Sequence, residues 1–107
     1  MNETQMYGTL NALVLKALCE GPRHGYGIAR FLQETTDGAV RVEEGSLYPA
    51  LYRLERQRLV EAEWRASPLG RRAKFYRLTR EGRTQLARET KAWIEFSGAV
   101  SRVLLPA

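Results

Sequence analysis

Leu10, Leu13, Val14, Ala17 and Leu18 recur at spacings of three and four, which predicts an amphipathic first helix opened by Gly8-Thr9-Leu10. Gly21-Pro22 stops it. A second helix carries Ile28, Phe31 and Leu32 on one face and ends at Asp37-Gly38, and Ala39 to Val42 reads as a short extended link. Pro49 constrains the third helix. Proline has no N–H and clashes with the preceding turn, so it is expected only within the first turn of a helix. The expected N-cap is Gly45 or Ser46, and the helix then runs to about Gln57. Leu47, Leu51 and Leu54 form its apolar stripe. Ser46, Pro49, Tyr52, Arg53 and Arg56 spread over the opposite side, with Tyr48 on the flank.

The period then changes. Val60 to Trp64 and Ala73 to Leu78 alternate at period two, with Pro and Gly punctuating Arg65 to Arg71 between them. This predicts a β-hairpin with a long basic tip. Thr79 is placed to cap a final helix, with Glu81 in its first turn, where the helix dipole favours an anion. The helical pattern continues to Leu104, and 25 residues of helix span about 38 Å. Three helices, a hairpin and a long helix in this order predict a mostly α, α+β fold: a winged helix-turn-helix over residues 1–79, with the hairpin as the wing. The last helix, residues 80–107, extends from it as part of the same structural unit.

The chain has 107 residues and a net charge of +5, unevenly distributed. Residues 1–52 carry four basic and six acidic side chains, whereas residues 53–91 carry twelve basic and five acidic. Arginine supplies 14 of the 17 cations, and its planar fork suits phosphates and guanine edges. A solvated basic face and a nucleic-acid surface both fit the charge alone. The single cysteine, Cys19, precludes an internal disulfide. The longest apolar stretch, Leu10 to Cys19, is broken by Lys16 and is short for a membrane span, and no secretory signal opens the chain. A cytoplasmic protein that does not enter membranes is expected.

Enzyme chemistry finds little support. His24 is the only histidine, and neither a cysteine pair nor a second imidazole is available for a metal site. Cys19 lies in an apolar helix, as a small hydrophobe would. Gly25-Tyr26-Gly27 begins like a dinucleotide motif, but residue 30 is Arg and no strand is predicted before it. No cofactor or metal is expected.

The N-terminal end of the third helix is a better candidate. Recognition helices present that end to base edges. Ser46 can donate or accept, Tyr48 and Tyr52 offer flat rings with hydroxyls, Pro49 can pack on a thymine methyl, and Arg53 and Arg56 add charge. The competing reading makes the tyrosines half-buried core residues. In the wing, Arg71, Arg72 and Lys74 are expected to cluster at the tip and reach phosphates or a narrow minor groove.

Along the last helix, Leu86, Thr90, Trp93, Ser97, Val100 and Leu104 alternate at spacings of four and three, and Ile94, Phe96 and Val103 widen this seam. Its proximal part can cover the domain core. The distal half predicts a second chain, and a two-fold homodimer is the simplest arrangement. Two copies of Trp93 near the axis either pack the dimer core or form a slot for a planar aromatic effector.

The chain resembles the PadR family of bacterial transcriptional regulators. The matching segments are Gly8-Thr9-Leu10, Gly21-Pro22-Arg23-His24-Gly25-Tyr26-Gly27-Ile28, Glu43-Glu44-Gly45-Ser46-Leu47-Tyr48-Pro49-Ala50-Leu51 with Arg53-Leu54-Glu55, and Gly70 to Thr79 through the wing. The resemblance implies the short form of the family, a homodimer with one C-terminal dimerisation helix, usually a repressor and often released by a small molecule. It places DNA contacts on Ser46, Tyr48 and Pro49 and on Arg71, Arg72 and Lys74, with Tyr26 supporting backbone contacts. One position departs: Arg58 stands where relatives commonly end the third helix with glycine. A left-handed position costs a non-glycine residue about 1 kcal/mol, so either the helix exit is reshaped or the cost is tolerated because the arginine reaches something useful. Three functions compete: an operator-binding regulator reading an inverted repeat, a winged helix used as a protein-interaction module, and a ligand sensor without specific DNA binding.

Overall fold

The computed structural model describes residues 3–66 and 68–106, with side chains from Thr9 onward. The elements run α1 (Glu3–Ala17), β1 (Arg23–His24), α2 (Gly25–Thr35), α3 (Glu44–Arg56), β2 (Val60–Ala66), β3 (Arg72–Leu78) and α4 (Arg80–Leu104). Val14, Leu15 and Leu18 of the first helical segment, Ile28 and Leu32 of α2, and Leu47, Leu51 and Leu54 of α3 meet in one core, closed from the sheet side by Val60 and Tyr76. The α3 stripe is the one the periodicity marks. In the first helix Leu15, outside the marked stripe, is fully buried, while the marked Leu10 and Leu13, and Phe31 of α2, are only partly buried. The arrangement is a winged helix-turn-helix.

Four features differ from expectation. First, α1 begins at Glu3, well before Leu10, and packs along α4. Second, the sheet has three strands in the order β1-β3-β2, because Arg23 and His24 pair with Tyr76 and Phe75. Two residues carry no readable alternation; the free edge of β3 recruits them. Third, the wing strands reach further than predicted: Arg65 and Ala66 belong to β2, and Arg72 opens β3 opposite Ala66. Fourth, α3 starts at Glu44 with Glu43 as N-cap, so the expected cap at Gly45 or Ser46 is displaced and Pro49 sits in the second turn. Only one carbonyl, that of Gly45, loses the bond a proline N–H cannot make, and Gly45 is exposed to water.

The end of α3 resolves the question at Arg58. Its φ is 61°, the left-handed region, and the Arg58 and Leu59 amides donate to the carbonyls of Glu55 and Leu54. This is the Schellman arrangement with arginine in the place glycine usually takes. The helix exit is therefore kept rather than reshaped. Its carbonyls are then used: Thr79 Oγ1 donates to Arg58 O at 2.8 Å or Leu59 O at 3.0 Å, while accepting from the Gly82 amide as the cap of α4.

Candidate nucleic-acid interface

α2 and α3 together build one exposed surface from their N-terminal ends. His24 caps α2, its Nδ1 accepting from the Gly27 amide at 2.9 Å, and its ring meets Phe75 of β3 edge-on at 5.2 Å. That fixes the start of α2 against the sheet and turns Tyr26 outward, 69% exposed. Gly25 then provides a seat for α3. A Cβ at this position would lie 2.6 Å from Tyr48 Oη and 2.9 Å from its ring carbons, so the tyrosine packs directly on α2 backbone. Neither sequence reading of Tyr48 holds alone: one edge of the ring is packed, yet 45% of the residue faces solvent. Within Gly25-Tyr26-Gly27, Gly25 allows the close packing of α3 on α2.

Further along α3, Ser46, Pro49, Tyr52 and Arg56 are exposed and Arg53 is half-buried. The Arg56 guanidinium lies 5.8 Å from the Tyr52 ring centre, within reach of a cation–π contact. The buried stripe of Leu47, Ala50, Leu51 and Leu54 anchors this helix from behind.

The wing has two chemically different faces, and period two separates them. One face carries Glu61, Glu63 and Arg65 on β2 and Arg77 and Phe75 on β3. Its charges neutralise one another: Glu61 pairs with Arg77 and Glu63 with Arg65. The other face continues outward from core residues Val60, Ala62, Leu78 and Tyr76 to the cross-strand pairs Trp64–Lys74 and Ala66–Arg72. Neither strand contributes an acid to this second face.

Lys74 differs from its expected place. It lies in mid-strand rather than at the tip, because the strands are longer than predicted, and its Nζ is 3.1 Å from Glu55 Oε1 of α3. It ties the wing to α3. Arg71 lies in the exposed tip, and the Arg72 guanidinium sits 5.9 Å from the Trp64 ring centre. Burial pushes the Tyr76 phenol above its usual range, against the pull of the neighbouring Lys74 ammonium. The sequence reading missed Trp64, whose signal lay only in the register that puts it beside Lys74.

The seam residues of α4 are spread between two settings. Leu86 packs against the core, and Phe96 and Val100 are half-buried where α1 lies along α4. Trp93 is half-exposed, 6.4 Å from the Phe96 ring, and Leu104 is largely exposed. Among the described residues, no group of acidic, histidine and cysteine side chains could hold a metal ion, and no helix is long and apolar enough to cross a membrane.

A small winged helix with an arginine-rich wing and an exposed recognition-type helix defines a class of transcriptional regulators. The model of the transcriptional regulator PadR-like family matches residues 14–88, and the chain belongs to that family. PadR proteins are DNA-binding transcription factors, not enzymes. A protein named as a transcriptional regulator from Mycobacterium tuberculosis is 34% identical over 87 residues, covering 81% of this chain and 78% of that protein. A 37.1 kDa protein of a Streptomyces fradiae transposon is 38% identical over 105 residues, 98% of this chain but only 27% of that longer protein. The crystal structure of a PadR family transcriptional regulator from Eggerthella lenta superposes with a TM-score of 0.78 at 33% identity, over 98% of this chain and 88% of that one.

Proposed function

We propose that this protein is a homodimeric, operator-binding transcriptional repressor acting in the cytoplasm. Residues 1–79 form its DNA-binding unit and residues 80–107 its dimerisation helix. One observation carries the reading: exposed Ser46, Tyr48, Pro49 and Tyr52 on α3 accompany a wing face whose strands contribute cations and no acid. Helix 3 enters a major groove, where Ser46, Tyr48 and Pro49 meet base edges and Tyr52, Arg53 and Arg56 border the backbone. Arg71 and Arg72 reach phosphate, Lys74 adds charge from its place beside Glu55, and Tyr26 supports the backbone contact from α2. Trp93, Phe96, Val100 and Leu104 line the proposed dimer seam, Leu86 being taken up by the chain's own core, with a planar aromatic effector between the two copies of Trp93 releasing the operator.

Selection of binding sites from random duplex DNA tests this. A two-fold dimer requires an inverted repeat whose half-sites lie about 10 bp apart, or a multiple of that. Tyr48→Ala then reduces discrimination between operator and random DNA, whereas Arg72→Ala weakens both alike and lowers the salt slope by about 1. A direct repeat, or no consensus at all, overturns the proposal.

A further inference from the structure

Trp64 is the largest exposed side chain of the wing strands, 59% accessible, and no core requirement explains it. Tyr76 and Val60 already close the core beneath the sheet, and Trp64 stands one cross-strand pair further out. Its neighbours there are cations. Lys74 is its directly paired residue, Arg72 lies over its ring at 5.9 Å, and Glu55 of α3 is occupied by Lys74 at 3.1 Å. The opposite wing face, by contrast, sets each glutamate against an arginine. A flat apolar surface framed by cations matches a polyanion that also presents apolar faces.

We propose that Trp64 is a DNA-contacting residue of the wing, its indole lying against the deoxyribose of the sugar-phosphate backbone while Arg72 turns from the ring to the adjacent phosphate. This deepens the DNA-binding reading above and rests on it. Sugar faces are apolar and carry no sequence information, so the contact adds affinity to operator and random duplexes equally. The Arg72–Trp64 contact also holds the guanidinium near its phosphate-binding position before DNA arrives, reducing the side-chain freedom lost on binding.

The test uses the full-length protein labelled with 5-fluorotryptophan. There are two tryptophans, so the fluorine spectrum has two resonances, and Trp64→Phe identifies one of them by its loss. On titration with a random-sequence duplex, the Trp64 resonance is expected to shift. Trp64→Ala should weaken operator and random DNA alike, by about 3- to 10-fold, with an unchanged salt slope, and Trp64→Phe should recover most of the loss. Thermal melting checks that the Ala variant is folded. A Trp64 resonance unmoved at saturating DNA, or an Ala variant within twofold of wild type, overturns the proposal while DNA binding itself stands. So does an Ala effect that vanishes in an Arg72→Ala background, because Trp64 would then serve only to brace Arg72. A wild-type protein that shifts no duplex overturns both readings.

Discussion

The two ends of α4 do opposite things with the same secondary structure. At the N-terminal end, Thr79 caps the helix, bonds back to the exit of α3, and brings Gly82 so close that an added Cβ would lie 2.1 Å from the Leu59 carbonyl oxygen. The Thr79 hydroxyl and the Gly82 amide there find their partners inside the chain. At the C-terminal end, Val103 is 84% exposed and Leu104 73%, with Leu105 exposed beyond them. One end completes the fold, and the other presents apolar surface that the described residues do not cover. If the proposed dimer forms through the distal end, stability and association are separable along a single helix, and substitutions at the two ends should fail in different ways.

The largest effect is expected at Gly82. The obstacle to a side chain is backbone, which cannot swing aside as a flexible side chain would. Gly82→Ala should destabilise the protein by about 3 kcal/mol, the upper part of the range for overpacked sites, as measured by urea unfolding. A loss below about 0.5 kcal/mol, the level of an ordinary surface change, would show that α4 is not docked on Leu59 as described.

At the other end, Val103→Asp combined with Leu104→Asp should leave the single-chain fold almost untouched, since neither residue packs in it. Its effect falls on the proposed dimer. Burying charge at an apolar interface core is costly, so sedimentation should show the dimer dissociation constant rising at least about tenfold. A variant that unfolds instead, or that sediments as wild type, would assign this end of α4 a different role.

The comparison also explains what could be read in advance. Helix stripes at Leu47, Leu51 and Leu54, the Thr79 cap and the alternating wing are local patterns, and all were legible. Tertiary pairings were not. β1 exists only because β3 offers an edge to Arg23 and His24. The tie between Lys74 and Glu55 joins residues 19 apart on different elements, which no local pattern encodes. Pro49 points to a helix start at Gly45 or Ser46, but α3 begins at Glu44, with the carbonyl that lacks a proline N–H partner belonging to solvent-exposed Gly45. At the site, the residues of α3 were identified by periodicity, but the division of the wing into a neutralised face and a cationic one needs the register. Gly25 as the seat of Tyr48 needs a contact between helices that no spacing encodes.

The smallest expected effect lies between the two ends, at Glu89. Gln85 donates to its Oε1 at 3.2 Å, while Oε2 is buried without a partner. Burial raises the carboxyl above its usual range, and the Gln85 bond offsets this only in part. The folded state therefore binds this proton more tightly than the unfolded chain does. Linkage fixes the sign: the protonated form contributes stability that is fully present below the unfolded carboxylate range and is lost as pH rises through the raised value. Glu89→Gln imitates the protonated form, so it should melt with wild type at about pH 4 or below and above it by a few degrees at neutral pH. Melting curves at one protein concentration across this range keep any association constant. A Gln variant less stable than wild type at neutral pH would mean that ionised Glu89 is stabilised by a partner, and that the middle of α4 belongs with its docked end.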